Sequence, residues 1–345
     1  MEPSVEGAVE LSVVIATHDR RRQLERCLGS LALQTASPSR FEVIVAADGC
    51  DDGSAELAEA LTAPFALTVL RLEKAGQPGA QNAAIEAARG RSCLFLDDDV
   101  IASPGLVAEH LEAHRRDPAA IGIGALTQEP VSAGDWFADA FAHGFGEHYE
   151  DLAGRQPCWH DCYGANFSAP RQLLLEAGGM ATDLDVAYDF DIALRLCQLG
   201  CRLYFLPEAG AIHSDTKGGA DLLRDARRQG ATHVELARRH PGIDREILVW
   251  DAGAGPNELR LRRLALSTGL SPHALAGLGR LLPGRGRRMI WLHFVRRLSF
   301  WSGVHHAADR DEWRLLTKRP EPAGPLVSAL PFALSLLDVA EAVPL

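Results

Sequence analysis

Lysine is nearly missing from this chain: Lys74, Lys217 and Lys318 are the only three among 35 basic residues, and the rest are arginine. No functional reading attaches to that bias. Uninterrupted apolar runs are also missing. None approaches the ~18 residues that a transmembrane helix needs. The most apolar stretch, residues 326–343, is broken by Pro331, Asp338 and Glu341. The opening MEPSVEGAVE has neither the basic nor the apolar region of a secretory signal, so the expected location is cytoplasmic. Seven cysteines in 345 residues make an odd, sparse set that reads as reduced thiols, not as a disulfide framework. Two phosphate-binding devices are lacking as well. No G-x-G-x-x-G follows the first apolar run, and no G-x-x-x-x-G-K-[ST] occurs anywhere, so neither a Rossmann nor a P-loop site is expected.

Acidic residues exceed basic ones, for a net charge of −11. That excess argues against a nucleic-acid binder acting through overall charge. Acid is unevenly spread, however. Between Leu259 and Ala308 there is no Asp or Glu, while Arg260, Arg262, Arg263, Arg280, Arg285, Arg287, Arg288, Arg296 and Arg297 fall there. Such asymmetry asks for a partner, either an anionic membrane or the acidic body of the same chain. At roughly 150 residues per domain the length corresponds to about two domains.

The first hundred residues alternate between two periodicities. LSVVIA at 11–16, FEVIVA at 41–46, residues 67–72 and SCLFL at 92–96 read as strands, and the first is apolar enough to be buried on both faces. Between them, 20–34, 54–62 and 78–89 read as helices, the first with Leu24, Cys27, Leu28 and Leu31 on one face. Alternating strands and helices predict a mainly parallel sheet covered by helices. In such sheets ligands bind at the carboxyl ends of the strands. Here those ends are polar: Thr17-His18-Asp19, Asp48, and Asp97-Asp98-Asp99.

Three consecutive carboxylates repel each other and are tolerable beside a hard divalent cation such as Mg2+ or Mn2+, which takes oxygen ligands. Alternate residues of an extended segment point the same way. Asp97 and Asp99 can therefore share a face, with Asp98 turned to support. The competing reading is a solvated acidic turn ahead of a helix starting near Pro104.

These segments, with GAQNAAIEAARGRSCLFLDDDV and GANFSAPRQLLLEAGGMATDLDVAYDFDIALRLCQLGCRLYFLPEAGAIH, resemble the family 2 glycosyltransferases. The resemblance covers residues 11–213. It implies a GT-A fold, with a mainly parallel central sheet flanked by helices. The catalytic domain would span 1–218, with a donor half at about 1–127 and an acceptor half at about 128–218. A mostly helical extension would follow at 219–345. It also implies inverting transfer of a sugar from a nucleoside diphosphate sugar, most often a UDP-sugar, to a hydroxyl acceptor. That acceptor would be lipid-linked, a polysaccharide or a secondary metabolite. By position, Thr17 and Asp48 would contact the nucleoside, with Asp48 accepting the base N–H. His18 stands where the family has an aromatic residue. Asp97 would approach the ribose or the metal, Asp99 would hold the Mn2+ or Mg2+, and His213 would add a metal or diphosphate ligand. Asp189 would be the catalytic base, since the acceptor hydroxyl must lose a proton as it attacks. Its bland alternative is an acid favouring a helix N-terminus. Ala16, Ala47, Gln81 and Tyr188 depart from the family pattern, where Pro, Asp, Arg and Glu are usual.

The segment RGRRMIWLHFVRRLSFW at 285–301 mixes arginine with Trp291, Phe294, Phe300 and Trp301. It reads as an amphipathic helix for peripheral contact with the inner face of a membrane, or as one packing its aromatics into a second core. Residues 134–165 read as an aromatic insertion that could form a lid, and 219–240 and 257–282 as further helices, with linkers at 283–286 and 319–325. Cys158, His160, Cys162, Cys197 and Cys201 could form a zinc site, though their spacing departs from C-x2-C. Two other functions compete with transfer. A sugar-phosphate nucleotidyltransferase is disfavoured, because Ala16-Thr17-His18-Asp19 stands where it would place a Gly-rich basic loop. A non-catalytic binding subunit finds support in Tyr188 and Gln81.

Overall fold

The computed structural model describes residues 9–129, 135–214, 217–243 and 256–317. The linker expected at 319–325 and the apolar tail at 326–343 lie outside the described residues. The chain divides into two compact units. The first takes residues 1–129, 152–184 and 188–215, and the second takes 130–151, 185–187 and 216–345.

The first unit is built on one sheet. Its strands are β1 (Leu11–Thr17), β2 (Phe41–Asp48), β3 (Ala66–Leu72), β4 (Ser92–Asp97), β5 (Val100–Ala102), β6 (Ala120–Gln128), β7 (Asn166–Pro170) and β8 (Arg202–His213). They lie in the order β3-β2-β1-β4-β7-β6-β8-β5. The expected parallel core is present: β1 pairs in parallel with β2 and β4, and β2 with β3. Beyond β4 the sheet is mixed. β7 runs antiparallel to β4 and β6, β8 runs parallel to β6, and β5 runs antiparallel to β8. Position explains burial. Every residue of the interior strand β2 is buried, whereas β3, at the sheet edge, alternates between exposed and half-buried. Across β4 and β7, Phe95 and Phe167 face each other in register and stack with centroids 4.7 Å apart.

The helices of this unit follow the strands, and all helices are numbered in chain order. They are α1 (Arg21–Leu31), α2 (Ser54–Ala60), α3 (Gly76–Ala87), α4 (Leu106–Arg116), α6 (Arg171–Glu176) and α7 (Tyr188–Gln198). Leu24, Cys27, Leu28 and Leu31 form the buried face of α1, as their spacing predicts. In the sheet register Ala16 pairs with Asp97 and Thr17 with Ala47. The polar ends of β1, β2 and β4 therefore reach one edge together.

The second unit is helical among its described residues: α5 (Trp136–Leu152, whose last residue falls in the first unit), α8 (Gly219–Arg239), α9 (Pro256–Thr268), α10 (Pro272–Leu278), α11 (Arg285–Ala307) and α12 (Arg310–Thr317). The insertion at 134–165 is thus divided, its helix belonging here and its 152–165 portion to the first unit. Helices α8 and α11 approach closely through glycine. A Cβ on Gly230 would overlap the Phe300 carbonyl, and one on Gly303 the Arg227 carbonyl.

The aromatic segment 285–301 lies in α11, which begins inside the linker expected at 283–286. Phe300 and Trp301 are completely buried with Val234, Val304 and Leu316. Trp291 and Phe294 pack on a cluster formed by Phe137, Leu222, Leu292, Val295 and Leu298. Three of the arginines turn inward as well. Arg262 lies over the Trp301 ring at 4.5 Å, Arg296 lies over Phe141 at 4.6 Å, and Arg297 donates to Glu258 at 2.9 Å. Of the two sequence readings of this segment, its aromatics follow the one that packs them into a second core. No helix among the described residues is long and apolar enough to cross a membrane.

Candidate active site

The acidic triplet lies where β4 ends and β5 begins. Antiparallel pairing of β5 with β8 sets Val100 opposite His213, and Ser214 N–H donates to the Asp99 carbonyl at 2.9 Å. A residue 114 positions away in sequence is thereby fixed beside the triplet. His213 Nε2 lies 3.0 Å from Asp99 Oδ1 and 3.9 Å from Asp97 Oδ2. The ligating atoms of Asp97, Asp99 and His213 all fall within 4.8 Å of one another.

Asp98 faces away from this group. Its carboxylate accepts from Thr17 Oγ1 at 2.7 Å and from Arg20 at 2.9 Å. Arg20 also donates to Asp99 Oδ2 at 2.6 Å. Burial raises the Asp98 carboxyl, although Thr17 and Arg20 work against it. Burial would raise Asp99 too, but the hydrogen bonds and charges of His213 and Arg20 outweigh it and hold that carboxyl low. Desolvation disfavours the Arg20 cation, yet Asp98 and Asp99 prevail and keep it charged. Among the described residues Arg20 pairs with two of the three carboxylates, Asp98 and Asp99. Asp99 Oδ1 is buried, with His213 Nε2 beside it at 3.0 Å. Two carboxylates and one imidazole with their ligand atoms this close fit a divalent cation of the Mg2+ or Mn2+ kind. Gln77 Nε2 orients Asp97 by donating to its Oδ1 at 3.0 Å.

Sequence reasoning did not assign Arg20 or Gln77. Arg20 is the first of three arginines heading α1, and in sequence it looks like a solvated helix residue. The signal was arithmetic: three acids at one strand end call for a nearby cation, and Arg20 closely follows the neighbouring strand.

The residues expected at the nucleoside cluster at the ends of β1 and β2. Both Asp48 oxygens accept backbone N–H groups entering α3, from Ala75 at 2.5 Å and Gly76 at 2.8 Å. The carboxylate thus serves the helix N-terminus, and a base N–H would have to share its remaining lone pairs. The Thr17 hydroxyl proton is committed to Asp98. His18 Nδ1 lies 2.6 Å from the Asp48 carbonyl, while its side chain stays 54% exposed.

Asp189 sits at the start of α7, where its carboxylate accepts from Gly164 N–H at 2.8 Å and from its own neighbour Phe190 N–H at 2.9 Å. Crowding by protein atoms pushes its pKa up to about 6 in spite of those bonds. Asp191, two residues on, points elsewhere as its helical position predicts, and pairs with Arg195 at 2.5 Å. Arg195 in turn donates to the carbonyls of Ala177 and Gly179, holding the Gly178-Gly179 turn. Both glycines adopt positive φ, which this turn requires. Tyr188 is buried, and its phenol is held well above its ordinary range by burial and then by the charges of Asp97 and Asp189. It stands within the field of both halves of the site. Gln81 is buried in α3, and its Oε1 has no partner among the described residues. Cys158, His160, Cys162, Cys197 and Cys201 do not converge as a metal group among the described residues, and all seven cysteines are unpaired thiols.

Residues 12–175 match the family described as glycosyl transferase family 2. An uncharacterized glycosyltransferase of Bacillus subtilis, YfnE, is 29% identical over 186 residues, covering 53% of this chain and 44% of that protein. A validoxylamine A glucosyltransferase of Streptomyces hygroscopicus is 35% identical over 117 residues, covering 33% of this chain and 26% of that protein. The chain thus spans less than half the length of these curated relatives. Among solved structures, a mannosyltransferase of Pyrobaculum calidifontis, bound to GDP-Man and Mn2+, superposes with a TM-score of 0.61. The match is at 20% identity and covers 88% of this chain and 90% of that one. The fold is shared with that structure, and residues 12–175 resemble the family 2 glycosyltransferases.

Proposed function

We propose that this chain transfers a sugar, with inversion, from a nucleoside diphosphate sugar to a hydroxyl acceptor in a reaction that depends on a divalent cation. The observation that carries the reading is the convergence of Asp97, Asp99 and His213, whose ligand atoms all fall within 4.8 Å of one another. These three residues would hold the cation, and Arg20 would keep Asp99 ionised and aimed. A bound Mn2+ or Mg2+ supplies the Lewis acid that stabilises the departing nucleoside diphosphate. Asp48 and the exposed His18 ring offer the nucleoside an acceptor and a stacking face, and Thr17 fixes Asp98 behind them. Asp189 takes the acceptor hydroxyl proton as that oxygen bonds to the anomeric carbon and the bond to the diphosphate breaks. A carboxylate with a pKa of about 6 suits this role, because it is ionised at neutral pH yet more basic than an ordinary aspartate. Mn2+ and GDP-Man in the Pyrobaculum protein support the cofactor and donor class. The glucosyltransferase relative supports a small-molecule acceptor.

A donor screen tests the reading. UDP-, GDP- and dTDP-sugars are offered with Mn2+ or Mg2+ to wild type, Asp99→Ala and Asp189→Asn, and nucleotide release is followed. Metal-dependent release from one nucleotide class, lost in Asp99→Ala, is expected. Failure of every nucleotide sugar to bind would refute it in favour of a non-catalytic subunit.

For the basic segment we propose peripheral contact with anionic lipid through exposed side chains other than the buried aromatics. Leu261, Leu264, Leu281 and Ile290 are exposed at 55%, 59%, 80% and 59%, and Arg260, Arg263 and Arg287 are exposed in the same acid-free stretch. Liposome flotation of wild type and an Arg260/Arg263/Arg287→Glu variant checks this. Equal partitioning would remove the patch from consideration.

A further inference from the structure

A second group of potential ligands lies apart from the acidic triplet, at the ends of β1 and β2. The ligand atoms that His18, Asp19 and Cys50 can offer all fall within 4.8 Å of one another. The fold arranges each of them individually. His18 Nδ1 is 2.6 Å from the Asp48 carbonyl. A carbonyl can only accept, so Nδ1 carries the proton and Nε2 carries the lone pair. An imidazole that donates its other N–H to a backbone carbonyl has the tautomer and orientation of a metal ligand. Nε2 points toward Asp19, whose Oδ2 is 3.8 Å away. Ligands bonded at roughly 2.0–2.3 Å in a tetrahedron stand about 3.3–3.8 Å apart, so this pair already has nearly the right spacing.

Asp19 is held by unusual means. Its backbone lies in the left-handed region, with φ 51°, a conformation that costs a non-glycine residue energy and concentrates at functional sites. Its Oδ1 accepts from Asp51 N–H at 2.7 Å, which leaves Oδ2 on the His18 side. Cys50 occupies the turn after β2, half-buried, with its Sγ 3.4 Å from the Thr17 carbonyl. Asp51 and Asp52 follow it on the surface and add negative charge.

We propose that His18, Asp19 and Cys50 form a second metal site, selective for a thiophilic divalent cation of the Zn2+ type. Its set of one nitrogen, one oxygen and one sulfur differs from the hard-donor set of Asp97, Asp99 and His213. Thiolate ligation favours Zn2+ and Co2+ over Mg2+ and Mn2+. Three protein ligands leave the fourth position to water. Binding ties down the His18 ring and draws Cys50 and Asp19 across the edge assigned above to the nucleoside. Occupancy therefore excludes the donor and inhibits the enzyme. This consequence rests on the proposed function, whereas the metal site itself does not.

Cobalt reports the site directly, because a thiolate–Co2+ bond produces a charge-transfer band in the near ultraviolet. The full chain is titrated with Co2+ alone, without nucleotide. Wild type is expected to develop the band at one equivalent. Cys50→Ser loses it, His18→Ala weakens binding by about tenfold or more, and Asp99→Ala keeps it. A wild type with no band, or a Cys50→Ser protein with an undiminished one, overturns the proposal. In a second arm, Zn2+ is added to the Mn2+-supported nucleotide-release reaction. Inhibition of wild type but not of Cys50→Ser is expected. Equal inhibition of both, with the cobalt band intact, overturns donor exclusion while leaving the metal site standing.

Discussion

Replacing Arg20 with Gln removes a guanidinium that neutralises the buried side of the acidic triplet. In the wild type its guanidinium donates to Asp98 at 2.9 Å and to Asp99 at 2.6 Å, and these carboxylates are only 5% and 3% exposed. Among the described residues Asp98 then keeps the Thr17 hydroxyl and Asp99 its contact with His213. Stripping one partner from a buried pair costs about 3–5 kcal/mol. The Arg20 side chain is itself one-third exposed, at 33%, so water replaces part of its role and about 2–3 kcal/mol remains. For a domain of this size roughly 2–4 °C is lost per kcal/mol, giving a fall in Tm of about 4–12 °C. Excess Mn2+ should return part of the loss, because a bound cation offsets the charge that Arg20 had balanced. The assay is thermal unfolding of wild type and Arg20→Gln in EDTA and in Mn2+. A variant that melts within about 1 °C of wild type in EDTA would refute the claim that this pairing supports the site.

Three further outcomes are expected. Asp189→Asn should lower kcat by about 10^2–10^4, and the wild-type rate should rise with pH through about 6 as Asp189 loses its proton. A pH–rate profile with no acid limb in that range would exclude Asp189 as the base. The same substitution should flatten the pH dependence of stability between about pH 4 and 6. The folded pKa is raised, so the native state holds the Asp189 proton more tightly than the unfolded chain does, and stability falls as pH climbs from about 4 to about 6. Asn escapes that loss, which is at most about 3 kcal/mol, and urea unfolding at pH 5 and pH 8 would reveal it. In the helical unit, Gly230→Ala should cost about 1–3 kcal/mol or more, since its Cβ meets the Phe300 carbonyl rather than a movable side chain. Unchanged unfolding of that variant would contradict the close packing of α8 and α11.

The parts of the fold readable from sequence are those whose physics is local. β1, β2 and β4 announce themselves as apolar runs because they are buried on both faces, and α1 by its leucine spacing. The triplet at 97–99 is conspicuous because adjacent charges are costly without a counter-ion. β5 spans only Val100–Ala102, too short for any periodicity. β8 is half-exposed along much of its length and carries no clean alternation. Their antiparallel pairing brings His213 to Asp99, so the convergence of the triad lay in long-range topology. Arg20 was hidden among three consecutive arginines. In α11 the mixture of arginine and aromatics suggested a membrane surface. Sequence spacing could not say that Phe300 and Trp301 would meet Val234 and Leu316 in a core. Nor did any local signal say that α5 would join helices more than 70 residues further along the chain.

The central claim is that Asp97, Asp99 and His213 hold one divalent cation for a nucleoside diphosphate. Electron paramagnetic resonance of free Mn2+ tests it directly, by titrating the metal into wild type and Asp99→Ala with and without UDP and GDP. Wild type should take up one Mn2+, more tightly with the matching nucleotide, and Asp99→Ala should take up none at the same concentrations. Equal uptake by both proteins would contradict the account.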